Sequence, residues 1–263
     1  MYYVRFETGG RESYGIADIS VPNGVEDSSE NISIAELKGD FYGTPVFSGR
    51  SFRLSEVKLL APCCPSKVVA VGMNYVDHIK ELGNRDVPKN PILFVKLPHT
   101  VIGPEAAIQT PKGATRVDYE AELAVIMKSC CFKVDACNAD KFILGATCLN
   151  DVTERDIQKS DAQWMRSKNY ETFCPIGPWI VDGIDFNSLD ITLRLNGVVK
   201  QHSNTSNLLW DIQQLISFIS QVFPLYPGDV VTTGTPFGVS PMKSGDTVEI
   251  EIEKIGILRN HVV

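Results

Sequence analysis

Residues 117–125 constrain the fold more than any other part of this sequence, because acidic and apolar side chains alternate along them. The order Val-Asp-Tyr-Glu-Ala-Glu-Leu-Ala-Val places a carboxylate at positions 118, 120 and 122. In an extended strand, side chains at alternate positions project from the same face. We therefore expect Asp118, Glu120 and Glu122 to project together, while Tyr119, Ala121 and the apolar residues after them are typical of a buried strand.

Carboxylates held this close repel one another, and they resist ionising together unless a cation lies among them. A bound divalent metal is the simplest such cation. The alternative is an edge strand whose acidic face meets solvent, where charged side chains discourage pairing with another strand. The stretch by itself leaves both interpretations open.

A second acidic element favours the metal. The apolar run at residues 142–149 has the length of a strand, and it ends in Asn150 and Asp151. This polar pair lies where a buried strand leaves the core. Oxygen ligands from two neighbouring strands suit Mg²⁺, Mn²⁺ or Ca²⁺ better than zinc or copper.

Length and composition predict an ordinary globular protein without nucleic-acid-binding character. A chain of 263 residues forms one large domain, or one domain with a small appendage. The prolines at positions 62 and 65 indicate a connection, so we expect a small unit at residues 1–60 and a main domain at 65–263. The net charge of −7 and the lack of a basic run argue against binding to nucleic acid.

The predicted location is the cytoplasm, with no membrane association. Charged residues appear too early, at Arg5 and Glu7, for a signal peptide, and no apolar run is long enough to span a bilayer. The cysteines number seven and form no CxxC motif, which favours neither a disulfide framework nor a structural zinc site.

Residues 74–83 have the pattern of a short helix that ends at Gly83. His78 and Glu81 are then neighbours on one face, three positions apart. A carboxylate beside an imidazole orients the ring and favours its use as a general base near neutral pH. The alternative is a surface ion pair, and this segment by itself favours that alternative.

Four motifs, taken together, resemble those of the fumarylacetoacetate hydrolase family. They occur in the expected order and the similarity extends over residues from about 65 to 263. Each motif is weak alone, but the set is specific. The motifs are the acidic stretch at 117–123, Asn-Asp-Val-Thr-Glu-Arg-Asp at 150–156, the run from Lys168 through Phe-Cys-Pro-Ile-Gly-Pro at 173–178, and Thr-Gly-Thr-Pro at 233–236.

The resemblance implies a mainly β fold with some α structure. Its C-terminal domain would be a mixed β-roll or sandwich, and we expect the first sixty residues to form a small N-terminal α+β appendage. Members of this family are usually homodimers. They bind Mg²⁺ or Mn²⁺, with Ca²⁺ as a substitute in crystals, and act on small 2-oxo acids that often carry a second carbonyl two carbons away.

The resemblance also implies roles for individual residues. The metal ligands would be Glu120, Glu122 and Asp151. An acid/base pair, found in members that cleave carbon–carbon bonds, would be His78 with Glu81, and the catalytic lysine would be Lys168. Positions that often touch substrate are Lys96, Arg155 and Thr235.

The expected reaction is hydrolytic cleavage of a carbon–carbon bond in an acylpyruvate-type substrate, through an enolate stabilised by the metal. Oxaloacetate decarboxylation gives the same enolate by loss of CO₂, whereas keto–enol tautomerisation and isomerisation of 2-hydroxyhepta-2,4-dienedioate need only proton transfers. These reactions remain open. A different class of protein would use the carboxylates only to hold a structural ion. The combination of His78, Glu81 and Lys168 argues against that class, because a structural site has no use for an acid/base pair.

Overall fold

The computed structural model describes residues 1–19, 32–81 and 86–263. The helix end expected at Gly83 lies outside these residues. The fold is mainly β with some α structure, as the sequence predicts. In chain order the described strands are β1 (Tyr2–Thr8), β2 (Arg11–Asp18), β3 (Ser33–Leu37), β4 (Phe47–Arg53), β5 (Lys58–Leu59), β6 (Val68–Gly72), β7 (Ile92–Lys96), β8 (Val101–Ile102), β9 (Ala107–Ile108), β10 (Val117–Tyr119), β11 (Ala121–Met127), β12 (Ile143–Asn150), β13 (Thr153–Glu154), β14 (Cys174–Val181), β15 (Asp190–Leu195), β16 (Val198–Asn204), β17 (Val230–Thr232), β18 (Ser240–Met242), β19 (Thr247–Ile252) and β20 (Gly256–Val262).

Helices are short and few in the part of the chain that the structure describes. The α-helices are α1 (Val76–Glu81), α2 (Arg155–Ser160), α3 (Met165–Lys168) and α4 (Ile212–Ser220). Turns of 3₁₀-helix lie at Leu54–Glu56, Pro98–Thr100, Ala136–Phe142 and Thr205–Asn207. None of the described helices is long and apolar enough to cross a membrane.

The largest sheet joins the first strands of the chain to the main domain. Its order is β4-β3-β2-β1-β14-β12-β11-β17-β6-β7, with β5 paired to β1 and β8 paired to β14. The link is an antiparallel pairing of β1 with β14, in which Tyr2 lies opposite Val181. The N-terminal strands therefore share backbone hydrogen bonds with the main domain. The domain boundary between residues 60 and 65 stays a prediction.

The main core lies between this large sheet and a five-stranded sheet of order β16-β15-β19-β20-β9. Leu123 and Val125 of β11 face Leu193 of β15 and Ile250 of β19 in one cluster of buried side chains. Alternation of apolar residues along these strands gives each sheet one apolar face. Burying each such side chain contributes about 1.5–3 kcal/mol.

The acidic stretch does not form one continuous strand, because it divides at Glu120. β10 belongs to a three-stranded sheet of order β13-β10-β18, whereas β11 pairs with β12 and β17 in the large sheet. Glu120 is the residue between the two strands. The β11–β12 register places Ala121 opposite Asn150, and Asp151 N–H donates to the Glu120 carbonyl at 2.9 Å. The end of β12 thus brings Asp151 beside Glu120.

A buried carboxylate ties β2, β3 and β4 together. Glu36 of β3 is only 2% exposed and accepts hydrogen bonds from Ser13, Ser48, Arg11 and Arg50 at 2.6–3.0 Å. Burial alone would raise the pKa of Glu36, but the hydrogen bonds from Ser48, Ser13 and Arg50 hold it below the ordinary value. Its ionised form therefore stabilises the native state.

We expect Glu36→Gln to lower the free energy of unfolding by about 2 kcal/mol at neutral pH, because a charge-assisted network is lost. The folded-state pKa is depressed, so this stabilisation exists above the unfolded-state pKa and disappears as pH falls through the folded-state value. Denaturant titrations at several pH values measure it. The exposed Glu12→Gln variant, which loses only a surface pair with Arg5, serves as control and should change little. An equal effect of the two substitutions would contradict the stabilising role of Glu36.

Candidate active site

The triad Glu120, Glu122 and Asp151 lies in the wall of a cavity of about 870 Å³. One carboxylate oxygen from each residue lies within 4.8 Å of the others. All three side chains are buried, with exposures of 4%, 1% and 0%. The predicted acidic cluster therefore exists, and it faces a cavity instead of bulk solvent.

The position of each carboxylate follows from the strands that carry it. Glu120 N–H is held by the side-chain oxygen of Asn150 at 2.9 Å. Glu122 lies on β11, and its Oε2 accepts a hydrogen bond from Gly234 N–H at 2.9 Å. Gly234 has a φ of +91°, and a Cβ on it would lie 3.0 Å from the Val71 carbonyl oxygen. A glycine at this position lets the loop come close enough to reach Glu122.

Asp118 is not part of the triad, although the alternation of the sequence groups it with Glu120 and Glu122. Both of its oxygens accept hydrogen bonds from Arg116 at 2.9 Å, and its Oδ2 also accepts one from Arg155 Nε at 2.8 Å. The division of the strand at Glu120 separates Asp118 from the other carboxylates. Asp118 therefore supports Arg155 instead of facing the triad.

Cations alternate with carboxylates through the site. Arg155 Nη2 donates to Glu120 Oε1 at 2.6 Å. Lys168 Nζ lies 2.7 Å from Glu120 Oε2 and 2.5 Å from Asp151 Oδ2, and Lys96 Nζ lies 2.7 Å from Asp151 Oδ1. We call the whole series the charge chain; its members are Arg116, Asp118, Arg155, Glu120, Lys168, Asp151 and Lys96.

The carboxylates of Glu120 and Glu122 have opposite pKa shifts. Burial would raise the pKa of Glu120, but the charges of Lys168, Arg155 and His78 bring it below its ordinary value. Burial and the negative charges of Asp151 and Glu120 raise the pKa of Glu122 well above its ordinary value. Glu122 is thus the carboxylate of the triad that most needs a further cation.

These residues fit a divalent metal ion. The donors are three hard carboxylate oxygens within 4.8 Å of one another, and carboxylate oxygens suit Mg²⁺, Mn²⁺ or Ca²⁺. A divalent ion beside Glu122 would offset the repulsion that raises its pKa. The alternative of a solvent-facing edge strand is excluded, since the triad is buried.

His78 and Glu81 lie on α1 and line the same cavity. His78 Nδ1 is 2.9 Å from Glu81 Oε2, and the imidazole is only 5% exposed. The amide of Gly238 donates to the Glu81 carboxylate, at 3.2 Å from Oε1 and 3.3 Å from Oε2, and fixes its position. The pair is therefore not an ordinary surface ion pair.

The three residues expected to touch substrate occupy different places. Arg155 and Thr235 line the cavity. Lys96 is fully buried and lies behind Asp151, where Nζ donates to the backbone carbonyls of Lys168 at 2.7 Å and Val152 at 3.3 Å. The structure gives Lys96 a supporting contact with Asp151 instead of a position on the cavity wall, although Phe94 of the same strand β7 lies on that wall.

Other side chains complete the cavity wall. Polar side chains there include Arg116, Gln158 and Lys159, and the apolar ones are Val71, Met73, Phe94, Trp164 and Val239. The Trp164 ring packs edge-on against Phe94, with centroids 5.3 Å apart. It also lies against Gly72, where a Cβ would be 2.5 Å from the ring. In the sequence, the signal for this contact was the glycine that ends β6, since a glycine in a strand often marks a place where another group comes close to the backbone.

Comparisons with known proteins identify the family of this chain. Residues 67–263 match the model of the fumarylacetoacetate (FAA) hydrolase C-terminal domain, and residues 1–62 match an Rv2993c-like N-terminal domain. The chain belongs to the fumarylacetoacetate hydrolase family. The family resemblance drawn from the four motifs is therefore confirmed.

Three similar proteins illustrate the range of names among the relatives of this chain. Protein Rv2993c of Mycobacterium tuberculosis is 47% identical over 95% of this chain and 94% of its own. The human mitochondrial oxaloacetate tautomerase FAHD2B is 42% identical over 80% of this chain and 70% of its own. A crystal structure of 2-hydroxyhepta-2,4-diene-1,7-dioate isomerase from Mycobacterium marinum is 41% identical, covers 100% of this chain and 98% of its own, and superposes with a TM-score of 0.91.

We expect Glu122→Gln to weaken Mn²⁺ binding by at least about tenfold, because one anionic ligand of the triad becomes neutral. Isothermal titration calorimetry with Mn²⁺ measures the affinity. The control is Glu105→Gln, whose side chain is 58% exposed, and it should bind Mn²⁺ as wild type does. Unchanged affinity in Glu122→Gln would remove Glu122 from the ligand set.

Proposed function

We propose that the protein is a Mg²⁺- or Mn²⁺-dependent enzyme that moves a proton on a small 2-oxo acid, as a keto–enol tautomerase or double-bond isomerase. The observation that carries this proposal is that the carboxylate triad and the His78–Glu81 pair line one cavity. A metal site and an acid/base pair that share a cavity are arranged for proton transfer at a polarised carbonyl. The names of the human tautomerase and the mycobacterial isomerase support the same class of reaction.

Glu120, Glu122 and Asp151 would hold the metal, which supplies Lewis-acid polarisation of the 2-oxo group when bound. Around the triad, the cations of the charge chain equal the carboxylates in number once Glu122 is included. A divalent ion leaves this region with excess positive charge, which favours an anionic ligand. The proposed substrate is therefore a carboxylic acid.

The cavity wall supports the same substrate class. Arg116 and Lys159 lie on the wall in addition to Arg155, so a second carboxylate has cationic partners there. Phe94 and Trp164 cover the apolar side and exclude water from the carbon skeleton. A short dicarboxylic 2-oxo acid such as oxaloacetate has a second carboxylate that pairs with the cationic side of the cavity and a carbon skeleton that packs against the apolar side.

His78 is the proposed base. Its Nδ1 is paired with Glu81, so Nε2 is the nitrogen that exchanges a proton with the carbon next to the 2-oxo group. The Gly238 amide holds Glu81, and Glu81 in turn fixes the orientation of the imidazole. Lys168 donates to two carboxylates and lies at the cavity wall, where its ammonium group stabilises negative charge that develops on the substrate oxygen.

Hydrolytic carbon–carbon cleavage of an acylpyruvate is the second candidate. The His78–Glu81 pair favours it, because an imidazole held by a carboxylate also activates water. Loss of CO₂ from oxaloacetate would leave the same enolate without any need for that water. The homodimer, the cytoplasmic location and the absence of a nucleic-acid partner stay predictions.

One substrate panel with Mn²⁺ tests the proposal. Oxaloacetate enol–keto exchange, CO₂ release and acylpyruvate cleavage are followed on the same preparation, and we expect exchange to be fastest. We expect His78→Ala to slow it by at least about 10²-fold, the usual contribution of a general base, and to leave Mn²⁺ affinity near that of wild type.

The matched control is His261→Ala, which removes a histidine that is 48% exposed on β20 and should leave the rate unchanged. If acylpyruvate cleavage is fastest and His78→Ala abolishes it, the second candidate replaces the first. If no substrate turns over, or if His78→Ala retains every rate, the assigned chemistry is wrong.

A further inference from the structure

Gln201 of β16 makes three buried hydrogen bonds at the back of the site. It is 1% exposed, and no catalytic motif contains it. Its Oε1 accepts from Ala121 N–H at 2.9 Å, and its Nε2 donates to Thr235 Oγ1 at 2.9 Å and to the Pro236 carbonyl at 2.8 Å. The orientation of the amide is fixed chemically, because the Ala121 amide needs an acceptor and the Pro236 carbonyl needs a donor.

The first of these bonds holds the peptide between two carboxylates of the triad. Ala121 lies between Glu120 and Glu122, at the point where the chain passes from the three-stranded sheet to the large sheet. Its amide is buried, so without Gln201 the N–H would lose its partner at a cost of about 1–3 kcal/mol. Gln201 therefore fixes the backbone from which both side chains project.

The other two bonds hold the loop at residues 233–238. This loop sends the Gly234 amide to Glu122 and the Gly238 amide to Glu81. Gly238 has a φ of +106°, and a Cβ on it would lie 2.3 Å from the carbonyl oxygen of Lys200, the neighbour of Gln201. The loop thus rests directly on β16, and Gln201 secures it there.

We propose that Gln201 is a positioning residue that sets the place of the metal carboxylates relative to the His78–Glu81 pair. One side-chain amide joins the peptide that carries Glu120 and Glu122 to the loop that anchors Glu81. The acceptor half of the amide serves the metal site alone, whereas the donor half holds the loop that reaches both Glu122 and Glu81. The second half of this inference rests on the proposed function of His78 and Glu81, whereas the first half does not.

Two substitutions separate the halves. Gln201→Met has similar length and neither bonding group. We expect it to weaken Mn²⁺ binding by about 10- to 100-fold, the usual effect of losing a residue that orients a metal ligand, and to lower kcat as well. Gln201→Glu keeps an oxygen for the Ala121 amide but lacks the NH₂ group that binds Thr235 and Pro236 together. We expect it to bind Mn²⁺ more tightly than Gln201→Met does, because the Ala121 amide keeps its partner, while kcat stays low.

The matched control is Asn260→Leu. Asn260 is another buried amide, 1% exposed, that donates to the Gly103 and Ala106 carbonyls at 2.9 Å. It should lower thermal stability without changing Mn²⁺ affinity or kcat. Equal losses in Asn260→Leu and Gln201→Met would mean general destabilisation and would overturn the proposal, as would wild-type affinity and kcat in Gln201→Met.

The measurements decide the proposal even if one variant does not fold. Should Gln201→Met fail to fold, Gln201→Glu alone supports the proposal by a larger fold loss of kcat than of Mn²⁺ affinity, and overturns it by any other combination. If wild type turns over no 2-oxo acid, the proposed function fails, and the Mn²⁺ affinities of the two variants still test whether Gln201 positions the carboxylates.

Discussion

Burial of three carboxylates within 4.8 Å of one another is the physical constraint on which the site depends. Transfer of an isolated carboxylate from water to a protein interior costs several kcal/mol even after relaxation. The charge chain offsets this cost for Glu120 and Asp151, because each contacts two cationic groups. Glu122 instead receives one backbone amide, and burial together with the negative charges of Asp151 and Glu120 raises its pKa.

The arrangement of sheets explains how so many charges reach one place. Glu120 lies where the chain leaves the three-stranded sheet for the large one, so the groups before and after it face different surroundings. Asp118, on the first side, binds two arginines, and Glu122, on the second, faces the cavity. Glu120 lies outside the regular strand pairing. Its own amide donates to Asn150, and the next amide along the chain donates to Gln201.

Local periodicity predicted the chemistry of the site better than its geometry. The two-residue period identified Glu120 and Glu122, the end of an apolar run identified Asp151, and helical spacing joined His78 to Glu81. The same period grouped Asp118 with the triad, because nothing in the sequence marks the break at Glu120. The burial of Lys96 and the bonds of Gln201 depend on contacts between residues 34 to 80 positions apart, which periodicity does not encode.

The central claim is that Glu120, Glu122 and Asp151 bind one divalent ion next to the acid/base pair. Anomalous diffraction from crystals grown with Mn²⁺ and oxalate tests it most directly. The account predicts a single strong peak in the cavity, roughly 2 Å from one oxygen of each carboxylate, with oxalate on the side that faces His78 and Arg155. An ion bound by Asp118, or an ion that Glu122 does not coordinate, would contradict it.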